Sequence, residues 1–150
     1  MKLGLGVDHH GFVLKEDIRQ ELVGLGHEVV EYGPTSVTEI DYPEVAFTVG
    51  QAIIAKEIER GILICGTGIG MAIAANKVPG IRAAQVPDPY SAERAQLSNN
   101  AQIITLGSKT IGLEVAKKIV KEYVSHHFVP SPSSRKIAQI TEKEAEFHQS

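Results

Sequence analysis

Cys65 is the only cysteine of the chain, and three glycines follow it at alternate positions, Gly66, Gly68 and Gly70. The apolar run Ile62-Leu63-Ile64 leads into it, and the small-residue stretch Met71-Ala72-Ile73-Ala74-Ala75 leads away. That order predicts a buried strand, a tight loop and the start of a helix. Glycines let backbone N–H groups close on an anion, and a helix start adds positive partial charge. The same field favours a cysteine thiolate over the thiol. A thiolate beside such a loop can take a proton from a carbon next to a carbonyl. The loop can then hold the enediolate that results. A lone cysteine ending a strand is more often packing, but packing needs no anion loop.

Better-known glycine loops do not fit. A dinucleotide loop is G-x-G-x-x-G after a first strand, whereas this is G-x-G-x-G after a third. A cysteine-phosphatase loop of the Cys-x5-Arg kind needs arginine where Met71 stands. The Lys-Ser/Thr pair of a P-loop is missing. Other polar groups stand near predicted element ends: Asp8-His9-His10-Gly11, Asp41-Tyr42-Pro43, Asn99-Asn100 and Lys109. Each has a plain structural alternative, as a helix cap, a solvent-facing histidine or a turn. Adjacent histidines point in different directions and no partner has ligand spacing, so no metal site is expected.

The elements that must position these groups alternate between strand and helix. Strands are predicted at 2–7, 27–31, 61–65, 81–86 and 102–106. Helices are predicted at 12–25, 42–55, 89–97, 110–123 and 135–147, with a further helical start after Gly70. Residues 33–40 read as loop, and Pro130-Ser131-Pro132-Ser133-Ser134 breaks the chain. Alternation of this kind gives a five-stranded parallel sheet with helices on both faces, an α/β fold. Ligands of such sheets bind at the carboxyl ends of the strands.

With 150 residues the chain reads as one domain, long enough to bury a core. A net charge of -3 gives no sign of nucleic-acid binding. No apolar run approaches the ~20 residues of a membrane span, and the start of the chain reads as strand rather than signal peptide. A single thiol fits a reducing cytoplasm. Tryptophan is absent and aromatics are few, which argues against stacking on bases or sugars.

Together, Asp8-His9-x-Gly11, Asp41-Tyr42-Pro43, Cys65-Gly66-Thr67-Gly68-x-Gly70, Ala74-Ala75-Asn76-Lys77-x-x-Gly80-Ile81-Arg82-Ala83 and Gly107-Ser108-x-x-x-Gly112 resemble the type B ribose-5-phosphate isomerases. These share a family with the galactose-6-phosphate isomerase subunits. The resemblance covers almost the whole chain. It implies a Rossmann-like three-layer αβα sandwich and aldose–ketose isomerisation of a sugar phosphate through an enediol, with no metal or organic cofactor. It also implies a homodimer with shared active sites, with pairing into tetramers left open. On this resemblance Cys65 is the base, and Thr67 and Asp41 help to move hydroxyl protons. Gly66, Gly68 and Gly70 belong to the enediolate loop, and Asn99 binds a substrate hydroxyl. His9 and Lys109 bind phosphate, and Asp8 and Tyr42 complete the substrate contacts. Residues 131–150 carry a last helix toward the partner subunit, with Arg135 and Lys136 reaching its phosphate.

Two departures bear on the substrate. The ribose enzymes carry a ring-opening histidine before the asparagine, where this chain has Ser98. Their Gly-Gly-Arg-His-x-x-Arg clamp is replaced by Pro130-Ser131-Pro132-Ser133-Ser134-Arg135-Lys136, so the first arginine is lost and Lys136 stands for the second. A tetrose 4-phosphate cannot close a furanose and needs no ring opening, and residues 90–104 also resemble the erythrulose-4-phosphate branch. Ribose 5-phosphate is the family's commonest substrate, and one galactose-6-phosphate isomerase subunit also lacks the histidine. A signalling receiver domain shares the alternation but needs aspartate where Cys65 ends the third strand. A silent sugar-phosphate-binding protein would need neither Cys65 nor Thr67.

Overall fold

The computed structural model describes residues 1–149. Five strands, β1 (Lys2–Val7), β2 (Glu28–Tyr32), β3 (Arg60–Cys65), β4 (Ala83–Gln85) and β5 (Ile103–Gly107), form one sheet in the order β2-β1-β3-β5-β4. Every pairing is parallel. The helices are α1 (Phe12–Gly24), α2 (Tyr42–Ile54), α3 (Ile69–Ala75), α4 (Pro89–Leu97), α5 (Leu113–Val124) and α6 (Ser134–Phe147).

Strand alternation divides the core into two layers. Leu3, Leu5, Ile62, Ile64, Ile104 and Leu106 pack beneath α1, α4 and α5. Leu63, Cys65 and Ile103 pack beneath α2 and α3. This is the expected Rossmann-like three-layer sandwich. The central strand β3 is buried along its whole length, as a parallel strand covered on both faces must be.

Two boundaries differ from expectation for visible reasons. β4 is three residues long rather than six. The Asn76 side chain pairs with both the N–H and the C=O of Ala83, at 2.8 Å each, and so takes the place of a neighbouring strand. Just before it, Arg82 N–H donates to the Gln102 side chain. α5 begins at Leu113 rather than at 110, because Thr110 and Ile111 first turn back on the Gly107 carbonyl.

Arg60 starts β3 and is buried, and among the described residues it has no carboxylate partner. Its guanidinium donates to the Tyr123 and His126 carbonyls at 2.9 Å, which closes the C-terminal end of α5 onto the sheet. Burial pulls Arg60 below its ordinary range. Arg60→Met is expected to cost about 2–4 kcal/mol, because two charge-assisted bonds are lost and buried carbonyls are stranded. A urea midpoint equal to that of the unchanged protein would show that α5 is anchored otherwise.

Candidate active site

The chain runs outward from β1 to β2, then crosses back over β1 to β3. A reversal of that kind leaves a crevice at the carboxyl ends of the two strands on which it turns. Asp8 follows β1 there and Cys65 ends β3.

Asp8 is 3 % exposed, and its carboxylate accepts the Gly11 N–H at 2.9 Å. Asp8 N–H donates to the Ile64 carbonyl at 3.3 Å, so the loop after β1 is tied to β3. Past β3 the chain turns through Gly68, whose φ of +80° lies in the left-handed region. A Cβ on Gly68 would also stand 3.0 Å from the Leu106 backbone. The turn brings Gly68 N–H to 3.2 Å from the Cys65 Sγ. An N–H aimed at the sulfur is placed to donate to charge that develops there. Thr67 is exposed, and its hydroxyl oxygen accepts the Ile69 N–H at 3.2 Å. The exit from β5 fastens to the same loop, with Ser108 N–H on the Cys65 carbonyl and Lys109 N–H on the Gly66 carbonyl, both at 2.9 Å. The Tyr42 ring lies so close over Gly70 that a Cβ there would overlap it.

These groups enclose a cavity of about 450 Å³. Of the residues singled out in the sequence, Asp8, Tyr42, Cys65, Gly66, Thr67, Gly70 and Lys109 line it. Gly68 lies just beneath them, buried. Lys109 forms no ion pair among the described residues, so its ammonium is available to an anion.

Other predicted residues lie elsewhere. His10, not His9, lines the cavity. The His9 ring packs on His10 at 4.1 Å and turns its Nδ1 to the Ile40 backbone, at 3.3 Å from the oxygen and 3.4 Å from the nitrogen. Asp41 precedes α2 beside the cavity, exposed and with no capping bond from its side chain. Asn99 is not at the carboxyl edge. α4 runs back across the sheet, so Asn99 lies at the amino edge before β5. It lines a separate groove of about 550 Å³ with Arg82, Ile137 and Glu144. Six residues of β3 at roughly 3.3 Å each hold the two edges about 20 Å apart. Arg135 and Lys136 open α6, whose Ile137 and Glu144 line that same groove. Ile69 and Ile73 sit at the cavity rim and are more than half exposed, which periodicity alone did not single out. Among the described residues, no three or more His, Cys, Asp or Glu side chains gather to hold a metal, and no helix is long and apolar enough to cross a membrane.

Known proteins are similar to this chain in sequence and fold. A family model described as Ribose/Galactose Isomerase matches residues 3–140. The ribose-5-phosphate isomerase B of Escherichia coli K12 is 41 % identical over 140 residues, spanning 93 % of this chain and 94 % of that one. A D-erythrulose-4-phosphate isomerase of Pectobacterium atrosepticum is 46 % identical over 142 residues, 93 % of each chain. The ribose-5-phosphate isomerase B structure of Clostridium thermocellum superposes with a TM-score of 0.94 at 39 % identity, over 98 % of this chain and 99 % of that one. With the family model spanning residues 3–140 and relatives more than 40 % identical over nine-tenths of both chains, this chain belongs to the Ribose/Galactose Isomerase family.

Proposed function

We propose that the chain interconverts an aldose phosphate and a ketose phosphate through an enediolate, with Cys65 as the base. The observation that carries this is the Gly68 N–H aimed at the Cys65 Sγ within a cavity lined by Asp8, Thr67 and Lys109. Cys65 takes a proton from the carbon next to the carbonyl, exchanges it with solvent through the open cavity, and delivers a proton to the neighbouring carbon. Gly68 N–H is engaged by sulfur and Ile69 N–H by Thr67. The N–H groups of Thr67 and Gly70 remain for the enediolate oxygen. Thr67 and Asp41 move the hydroxyl protons. His10 and Lys109 take the phosphate, with His9 packed behind His10.

The site is completed by a second copy of the chain. Asn99, Arg135 and Lys136 are too far from Cys65 to serve their own cavity, but a two-fold partner running the other way would bring its amino edge to it. Of α6 only Ile137 is buried, while Ile140 and Phe147 stay exposed. Ile69 and Ile73 on α3, with Phe47 and Ile54 on α2, offer further uncovered apolar surface. A lone thiol and a phosphorylated substrate support a reducing cytoplasm as the enzyme's compartment.

The preferred substrate is a tetrose 4-phosphate. Ser98 stands beside Asn99 and accepts from Arg94 Nη1 at 3.3 Å. A serine hydroxyl does not titrate near neutrality, so it is a poor acid for opening a furanose. A tetrose 4-phosphate stays open-chain, and a 46 % identical relative is a D-erythrulose-4-phosphate isomerase. A panel of phosphorylated tetroses, pentoses and hexoses should give the highest kcat/KM for erythrulose 4-phosphate. Ser98→His should help ribose 5-phosphate at least ~10-fold more than the tetrose, the lower reach of a positioned acid. A kcat/KM for ribose 5-phosphate well above the tetrose values would instead assign the pentose and leave His10 to open the ring. Turnover of galactose 6-phosphate alone would move the chain to the hexose branch.

A further inference from the structure

β5 contributes a residue that touches no part of the cavity. Thr105 is fully buried on the face of β5 that looks toward α3, paired in register with Leu63 and Gln85. Its neighbours in that layer are apolar, among them Ile103 and Met71. A hydroxyl in such a layer is costly unless it finds a partner. Thr105 Oγ1 donates to the Gly68 carbonyl at 2.6 Å, and the same oxygen accepts the Ala72 N–H at 3.1 Å.

A peptide unit is planar and trans, so its C=O and N–H point in opposite directions. Holding the Gly68 oxygen down against β5 therefore turns the Ile69 N–H outward, onto the Thr67 hydroxyl oxygen. With that lone pair engaged, the Thr67 proton is directed to the cavity. The preceding peptide is held in the same manner. Gln85, the register partner of Thr105, donates to the Thr67 carbonyl at 3.3 Å, and the N–H of that peptide is the one aimed at the Cys65 Sγ. Gly68 in the left-handed region joins the two peptides, so movement of one displaces the other.

We propose that Thr105 is a positioning residue. From beneath the loop its hydroxyl orients the Gly68–Ile69 peptide, and thereby the Thr67 hydroxyl and the donor on Cys65. This rests on the isomerase reading of the loop, so one arm of the test needs no substrate. Thr105→Val keeps the volume and removes the hydroxyl. It is expected to lower kcat roughly 10-fold, a loss typical of a small misplacement of catalytic groups, with KM changed less than about twofold. Capture of Cys65 by iodoacetamide at pH 7, measured without substrate, is expected to slow about threefold as the donor on sulfur loosens. Thr105→Ser keeps the hydroxyl and should restore both. Thr105→Ala fits the same space and carries the same expectations if the valine variant does not fold. Unchanged kcat and capture in a hydroxyl-free variant would overturn the proposal. So would a serine variant no better than the valine one, or a kcat loss matched by a rise in KM with normal capture. A wrong choice of substrate would silence the turnover arm in every variant and leave the capture arm intact.

Discussion

Cys65→Ala is expected to lower kcat at least ~100-fold, the contribution of one positioned base, while KM stays within a few-fold. The side chain is buried, with only a narrow face toward the cavity, and alanine fits the same place without strain. Folding should survive the change, so the loss would report chemistry. Cys65→Ser is expected to fall nearly as far, because an alkoxide is far harder to form than a thiolate even beside the Gly68 N–H. Substrate should still bind the alanine variant, since Lys109, His10 and the glycine loop remain. Initial-rate kinetics with a calorimetric check of binding would test this. Retention of most activity by Cys65→Ala would transfer the base to another cavity residue, with Asp8 the carboxylate that lines it.

The second large effect concerns the far ends of the chain. Changing both Arg135 and Lys136 to alanine is expected to raise KM ~10–100-fold and to lower kcat much less. A phosphate dianion loses two charge-assisted partners, while the reacting carbons keep theirs. Each in-chain cavity offers a phosphate His10 and Lys109, which under-compensate a dianion. If the two cations come from a partner, inactive subunits should complement one another. Assayed at substrate well below KM, where the Arg135→Ala/Lys136→Ala subunits alone are nearly silent, an equal mixture with Cys65→Ala subunits, exchanged to equilibrium, should regain about a quarter of full activity, because half the dimers carry one intact site. Sedimentation should show a dimer at assay concentrations. A fully active monomer, or no recovery on mixing, would place both residues outside the site.

Much of this organisation is legible in residue order. Asp88 and Pro89 fix the start of α4, and the apolar runs of β1 and β3 stop at Asp8 and Gly66 as expected. The glycine loop is equally legible, because few arrangements other than an anion loop need glycine at 66, 68 and 70. Three features are not. Asn99-Asn100 reads as a polar turn at either edge of the sheet, and only the backward run of α4 places it opposite Cys65. Two adjacent histidines after a strand cannot be ranked from sequence. The turn closed by Asp8 on Gly11 decides that His10 enters the cavity. Thr105 occupies a core position on a buried strand, and its partner belongs to a loop far away in sequence. The exposed Ile73 and Ile140 become informative only when α3 and α6 are seen uncovered.

The central claim is proton transfer by Cys65 through an enediolate, and turnover in D2O tests it most directly. Erythrulose 4-phosphate would be incubated with the enzyme in D2O and followed by proton NMR. The account predicts deuterium at carbon 2 of the aldose product, with both incorporation and conversion lost in Cys65→Ala. Conversion with no deuterium at that carbon at any stage would mean a hydride shift between the two carbons and would contradict the account.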